Sequence, residues 1–289
     1  MTKEKPGFAS RARVKFRLAG GAQPLILIPV QVNGNGPFTF ILDTGAGTTL
    51  LTPSLANSAG VTITGTKRGQ TAGGAVEVSL GIVDSFEVGA LKHEKLDVAI
   101  HDLSHIGRAV GAQLDGDLGY NFFRDFRLTI DFASSELLFE DPRRCEYFGP
   151  PPLVSAPIQL AHPAKPLILV PVYLNERGPF QFAIDTGTST STISAAVARD
   201  LALQTQPMAD VTTGGAPISM SAARADSLRI GQASIRDLDL AVGDFLEMLS
   251  QAVGRKLDGI VGYNFLRHFR VAIDYPNETL NLFRGGVRP

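Results

Sequence analysis

The sequence predicts a mainly β protein made of two homologous lobes, with a few short helices. Three observations lead to this prediction. One unit of sequence occurs twice along the chain, its apolar runs are short, and each run ends at residues that favour turns. Short alternating or apolar runs bounded by Gly, Pro, Asn and Asp are typical of strands joined by hairpins.

The internal repeat is seen at an offset of about 142 residues. Residues 24–45 and 166–187 align without gaps and are identical at 14 of 22 positions. Near the end of each unit, residues 114–131 and 257–274 are identical at 12 of 18 positions. Two units are too few for a solenoid, so we expect two lobes related by pseudo-twofold symmetry.

The lobes are expected to span residues 10–141 and 153–285. A chain of 289 residues is long enough for two domains that each bury a core. Residues 142–152 between them are rich in proline, which lacks a backbone N–H and favours extended chain. We expect this segment to be the linker.

Each unit is predicted to open with a hairpin of two apolar strands, with its turn at residues 33–36 or 175–178. A short helix should follow, and Ser194 is a candidate N-cap in the second unit. Each unit should close with another hairpin. The predicted helices are 53–59, 101–110, 195–201 and 245–253, and the closing hairpins are 127–139 and 270–283.

Composition and charge exclude several classes of protein. Apolar residues make up 44% and charged residues 19%, as in a globular protein. A net charge of −1 does not suggest the clustered Lys and Arg that nucleic acid or an anionic membrane requires. The apolar run 25–30 is far shorter than the roughly 20 residues of a membrane helix. We expect no nucleic-acid partner and no membrane insertion.

The compartment is only weakly indicated by the sequence. The lone cysteine, Cys145, cannot form an intrachain disulfide. The polar first residues show neither a signal nor an anchor. The cysteine leaves the compartment open, while the missing signal slightly favours the cytoplasm, or the periplasm or export if a signal peptide was removed.

Each opening hairpin ends at Asp-Thr-Gly, at residues 43–45 and 185–187. A carboxylate directly after a buried strand is costly unless it is paired or hydrogen-bonded. If the twofold symmetry brings the two turns together, the carboxyl groups can share one proton, because two like charges in contact cannot both ionise cheaply. We therefore predict that Asp43 and Asp185 form one site.

Two further motifs follow each Asp-Thr-Gly in the same order. The first is a Gly-containing turn, and the second is Asp-Gly-x-x-Gly-Tyr-Asn-Phe. With these motifs, nearly the whole chain resembles the aspartic peptidases that include retropepsins and pepsins. Members of that family usually have two apolar residues before the second Gly, as in Ile260-Val261-Gly262, so Asp117 in the first unit is a departure.

The resemblance implies the fold, the reaction and the partners. The fold would be all-β, with two acid-protease-type closed β-barrel lobes. The protein would be an aspartic endopeptidase that hydrolyses peptide bonds with a water activated between Asp43 and Asp185, using no metal and no cofactor. The substrate would be a protein or peptide in extended conformation. The chain would act as a monomer with intramolecular lobe pairing.

The resemblance also suggests roles for the neighbours of the two aspartates. Thr44 and Thr186 should each reach the backbone of the opposite turn, and Gly45 and Gly187 should permit close approach. Three positions after each aspartate the lobes differ, with Ala46 in the first and Thr188 in the second. A hydroxyl group that donates to a carboxylate favours its ionised form, so we expect Asp185 to be the ionised partner and Asp43 the protonated one.

The Gly-containing turns correspond to flaps that would close over the substrate. Short lobes favour two flaps, as in a viral retropepsin dimer fused into one chain. The flap candidates are Thr71, Gly73, Gly74, Thr212, Gly214 and Gly215.

Other interpretations remain open at this stage. A duplicated β-scaffold could bind extended peptides without cutting them, or each lobe could pair with a lobe of another chain.

His101 and His105 have a spacing compatible with a metal site, but the second unit does not repeat them and no third ligand is indicated, so no metal is expected. Arg127 and Arg270 recur and suggest packing or ion pairing within each lobe.

Overall fold

The computed structural model describes residues 10–21, 24–145, 149–162 and 165–285. Among these residues, strands account for 52% and helices for 14%, which confirms the mainly β prediction. Across these described ranges, every helix is too short or too polar to cross a bilayer.

In the described part of the first half there are eleven strands and three short helices. The strands are β1 (Arg11–Lys15), β2 (Arg17–Ala19), β3 (Leu25–Val32), β4 (Asn35–Leu42), β5 (Leu50–Leu51), β6 (Thr62–Thr71), β7 (Gly74–Val88), β8 (Leu91–Ile100), β9 (Gly116–Leu118), β10 (Arg127–Asp131) and β11 (Glu136–Glu140). The helices are α1 (Pro53–Ser58), α2 (Ser104–Val110) and α3 (Tyr120–Phe123).

The second half repeats this order with local differences. Its strands are β12 (Val154–Pro157), β13 (Gln159–His162), β14 (Lys165–Leu174), β15 (Arg177–Ile184), β16 (Thr192–Ile193), β17 (Gln206–Pro207), β18 (Ser221–Ile230), β19 (Ala233–Val242), β20 (Gly259–Val261), β21 (Phe269–Asp274) and β22 (Thr279–Arg284). Its helices are α4 (Ala195–Asp200), α5 (Phe245–Val253) and α6 (Tyr263–Leu266).

Each lobe forms a closed six-stranded barrel. In the first lobe the strands run β3-β4-β9-β5-β8-β7, and β7 closes the barrel by pairing again with β3. In the second lobe the order is β14-β15-β20-β16-β19-β18, and β18 pairs again with β14. Equivalent strands β8 and β19 have the same pattern of buried and exposed residues. The predicted pair of symmetric barrels is confirmed.

A third sheet joins the two lobes. It contains three strands from each half in the order β1-β11-β10-β21-β22-β12. At its centre β10 and β21 pair antiparallel, with Thr129 opposite Ala272. The sequence predicted the two closing hairpins but not that they combine into one sheet, because the hydrophobic pattern of a hairpin does not identify its neighbour.

The shared sheet contains a buried ion-pair cluster around Arg127. Its Nη2 lies 3.0 Å from Oε2 of Glu140 in the same lobe, and its Nη1 lies 3.8 Å from Oδ2 of Asp274 in the other lobe. The expected pairing within a lobe is therefore correct for Glu140 but incomplete, since Arg127 also contacts the second lobe. In the second lobe Arg270 packs over the ring of Phe283 at 4.6 Å.

The predicted helices are present with small changes at their ends. Ser194 caps α4 by accepting a hydrogen bond of 3.2 Å from the backbone N–H of Val197, as expected. Thr52 caps α1 in the same way. Helix α2 begins at Ser104, three residues later than predicted, where Asp102 accepts hydrogen bonds from both the backbone and the hydroxyl group of Ser104.

Candidate active site

The two Asp-Thr-Gly turns emerge from the ends of equivalent strands, β4 and β15. The strand of the downstream glycine motif lies beside each of these strands. In the first lobe β9 runs parallel to β4, and in the second lobe β20 runs parallel to β15. The backbone N–H of Asp43 donates to the carbonyl oxygen of Leu118 at 3.1 Å, and that of Asp185 donates to Val261 at 3.0 Å. The second motif thus fixes where each aspartate leaves its barrel.

Thr44 and Thr186 join the two turns by four reciprocal hydrogen bonds. The backbone N–H of Thr44 donates to Oγ1 of Thr186 at 3.1 Å, and the N–H of Thr186 donates to Oγ1 of Thr44 at 3.0 Å. Each hydroxyl group in turn donates to a strand of the opposite lobe, at Ile184 and Leu42. Both threonines are buried, so the alignment of the turns is shielded from water.

The carboxyl group of each aspartate packs against the glycine of the opposite turn, which brings Asp43 and Asp185 together. The glycines of the turns make this approach possible. A Cβ added at Gly45 would lie 2.7 Å from Cγ of Asp185, and one added at Gly187 would lie 2.6 Å from Cγ of Asp43. Contacts this short exclude any side chain, so each glycine makes room for the carboxyl group of the opposite lobe.

The hydrogen bonds received by the two aspartates are not the same. Oδ1 of Asp43 accepts from the backbone N–H groups of Gly45 at 2.6 Å and Ala46 at 3.0 Å. Oδ1 of Asp185 accepts from the N–H of Gly187 at 2.8 Å, and its Oδ2 accepts from the hydroxyl group of Thr188 at 2.7 Å. Only the second lobe therefore supplies a hydroxyl donor three residues after the aspartate.

Burial and neighbouring acids raise the pKa of Asp43 well above its usual value. Burial is the largest cause, followed by the charges of Asp117 and Asp185, while the Gly45 N–H opposes the shift. The pKa of Asp117 is itself raised to about 7, mainly by burial. The phenol of Tyr275 is also buried. Its pKa is raised by burial and by the charges of Tyr120, Asp43 and Asp185.

An asparagine that is repeated in both units, and had no predicted role, braces each turn. Oδ1 of Asn121 accepts from the backbone N–H and the hydroxyl group of Thr49, at 2.7 and 2.9 Å. Asn264 makes the equivalent bonds to Ser191. The hydroxyl groups of Thr49 and Ser191 in turn accept hydrogen bonds from the backbone N–H groups of the glycines that precede Tyr-Asn-Phe. Repetition of Tyr-Asn-Phe in both units was the signal.

The two flap candidates differ in structure. In the first lobe, Thr71 and Gly74 end the paired strands of a long hairpin formed by β6 and β7. In the second lobe, residues 212–215 belong to an irregular loop between β17 and β18, where Val211 and Ile218 form an isolated bridge.

The hairpin and the loop meet. The backbone N–H of Ala216 donates to the carbonyl oxygen of Gly73 at 3.2 Å. The side-chain amide of Gln70, near the hairpin tip, contacts Sδ of Met248 on α5, and Nε2 of His105 on α2 lies 2.6 Å from the carbonyl oxygen of Thr213. Each segment therefore reaches from its own lobe to a helix of the other. Within the described ranges, no three His, Cys, Asp or Glu side chains are grouped to hold a metal.

Comparison with known proteins agrees with this geometry. Residues 28–122 and 170–265 each match the family described as "Aspartyl protease". The chain therefore belongs to the aspartyl protease family. No curated protein matches its sequence.

One solved structure that is similar to the chain is the aspartic proteinase from Irpex lacteus. The likeness has a TM-score of 0.56 at 15% sequence identity, and covers 95% of this chain and 97% of that one. At this identity the likeness concerns the fold. Family and fold together support a peptidase-type function.

Proposed function

We propose that the protein is an aspartic endopeptidase, with Asp43 and Asp185 as its catalytic pair. The observation that carries the proposal is the contact between these two carboxyl groups, which come from opposite lobes and are held by the reciprocal bonds of Thr44 and Thr186. A rigid pair of acids that share a proton is suited to activate water without a covalent intermediate.

In the proposed mechanism Asp185 is ionised and acts as the general base. The backbone N–H of Gly187 and the hydroxyl group of Thr188 donate to its two oxygens, which stabilises the negative charge. It removes a proton from a water that attacks the scissile carbonyl carbon. Asp43, whose raised pKa keeps it protonated, donates its proton to the carbonyl oxygen as the tetrahedral intermediate forms.

The tetrahedral intermediate then collapses with proton transfer to the leaving amine. The C–N bond breaks, the nitrogen takes a proton from Asp185, and Asp43 recovers a proton from the intermediate. Both acids return to their starting states, so the pair is ready for another substrate.

The substrate is proposed to be an extended segment of protein or peptide. The β6–β7 hairpin reaches from the first lobe to α5 of the second and meets the loop at Ala216, so this pair of segments bridges the two lobes. A substrate peptide would lie in extended conformation between these two segments and the aspartates. Its backbone would pair with strand edges, and its alternate side chains would enter pockets. In this proposal both lobes come from one chain, so the enzyme works as a monomer.

The test is cleavage of fluorescein-labelled denatured casein by the purified chain across a range of pH. Asp43→Asn and Asp185→Asn are each expected to lower kcat/KM by about a thousandfold or more, because either change removes one half of the acid–base pair. Asp226→Asn, a change at an exposed aspartate, is the matched control and should leave activity unchanged. If all four proteins bind casein equally and none cleaves it, the chain is a peptide-binding module instead.

A further inference from the structure

Asp117 stands where the second lobe has an apolar residue. It lies in the middle of β9, opposite Ile41 on β4 and Leu50 on β5. The equivalent residue of β20 is Ile260, which packs in an apolar cluster with Ala183 and Leu257. An acid at this position interrupts the apolar surface that the symmetry of the fold otherwise repeats.

Asp117 is half-buried, and its carboxyl group is incompletely satisfied. Its Oδ1 is out of contact with solvent and has no hydrogen-bond partner among the described residues. The residues around it on β4 and β5 are Ile41 and Leu50, which offer no charge. Leaving a buried polar atom unpaired costs free energy, so stability of the fold does not explain an aspartate here.

The same carboxyl group lies on the side of the barrel where Asp43 leaves β4, because Asp117 pairs with Ile41 and Asp43 follows Ile41 by two residues. Burial and the charge of Asp185 raise the pKa of Asp117, while its interaction with Asp43 lowers it. Helix α2 packs Ile106 against the apolar cluster of this part of the barrel, and its His105 contacts the carbonyl oxygen of Thr213 instead. Asp117 thus adds a third carboxyl group beside Asp43 and Asp185.

We propose that Asp117 is a positioning residue of the reaction centre, and that its place beside Asp43 keeps the catalytic proton on Asp43 up to neutral pH and above. This inference rests on the proposed function of the catalytic pair. As the pH rises, Asp117 releases its own proton to solvent. Its negative charge then opposes ionisation of Asp43, because two adjacent carboxylates repel each other.

The direction of the effect agrees with the electrostatics of the site. Burial raises the pKa of Asp117 to about 7, so this group changes its charge near neutrality. The Asp117 charge is the largest electrostatic contribution that raises the pKa of Asp43. Loss of the charge should therefore let Asp43 lose its proton at lower pH, and the high-pH limit of activity should fall.

The first test is the pH dependence of kcat/KM for labelled casein in three proteins. Asp117→Asn keeps the shape of the side chain without its charge, and Asp117→Ile reproduces the residue of the second lobe. Both variants are expected to lose activity at a pH about one unit lower than wild type on the alkaline side, with the acid side unchanged. Equal alkaline limits in all three proteins would overturn the inference, as would a uniform loss at every pH.

The second test does not depend on activity. A carboxyl group whose pKa rises from 3.8 to about 7 on folding binds more protons in the folded state, so stability falls as the pH rises between these values. The unfolding temperature of wild type should therefore fall more between these pH values than that of Asp117→Asn.

The two tests separate the inference from the proposed function. Parallel stability curves would refute the inference even if casein is cleaved. A wild-type chain that cleaves nothing, but shows the steeper fall in stability, would instead refute the peptidase function.

Discussion

The hydroxyl group of Thr188 lies 2.7 Å from Oδ2 of Asp185, whereas the equivalent residue beside Asp43 is Ala46, which offers only its backbone N–H. This difference breaks the symmetry of the two turns. A hydroxyl donor stabilises the charged form of a carboxylate, so the structure provides a physical reason for Asp185 to be the base and Asp43 the acid.

Thr188→Ala is expected to move the acidic limb of the pH–activity profile upward by about one pH unit, because the ionised base loses one hydrogen bond. The alkaline limb should stay in place, since Asp43 is unchanged. Thr188→Ser retains a hydroxyl group and is the matched control. An unchanged acidic limb in Thr188→Ala would show that the donor does not select the base.

Gly73→Ala tests whether the meeting of the hairpin and the loop matters for activity. A Cβ at Gly73 would lie 2.1 Å from the carbonyl oxygen of Ala216, so the segments must separate. We expect kcat/KM for labelled casein to fall by about tenfold to a hundredfold, because closure over the substrate positions it for reaction.

Gly214→Ala is the control for this experiment. Its added Cβ would lie 3.4 Å from Cγ2 of Thr71, which is an ordinary contact. This variant should keep activity close to wild type. If Gly73→Ala is equally active and equally stable, the contact has no role in the reaction.

Tyr275→Phe should stabilise the fold. The hydroxyl group of Tyr275 is buried without a hydrogen-bond partner among the described residues, and the equivalent residue of the first lobe is Phe132. Removing an unsatisfied hydroxyl group is expected to raise the free energy of unfolding by about 1 kcal/mol, measured by urea denaturation. Tyr120→Phe, at a half-buried tyrosine, should change stability less. A less stable Tyr275→Phe protein would mean that the hydroxyl group has a partner.

Arg127→Met should strongly destabilise the protein. Arg127 lies between the buried carboxylates of Glu140 and Asp274, and its removal leaves both without this cation. A loss of about 3–5 kcal/mol in the free energy of unfolding is expected. The control is Arg143→Met, which breaks an ion pair with Asp141 whose arginine side chain is 70% exposed and should cost less than about 1 kcal/mol. Similar losses in both variants would contradict a special role for the buried cluster.

Much of the fold and part of the site follow from local sequence. The alternating apolar pattern predicts the strands, Asn-Gly and similar turns predict the hairpins, and Ser194 predicts the start of a helix. The duplication predicts two equivalent lobes, and with them the meeting of Asp43 and Asp185. These features depend on residues that are near in sequence or related by the repeat, so they can be inferred from the sequence of this protein by itself.

Tertiary structure decided what depends on contacts between distant, unrelated positions. The six-stranded sheet between the lobes and the different structures of the two flap candidates have no signal in the local sequence. The clearest case is Asp117, which the sequence shows only as a departure from an apolar pattern. Only the folded barrel places its carboxyl group beside Asp43, because a charge acts through distance in space and not along the chain.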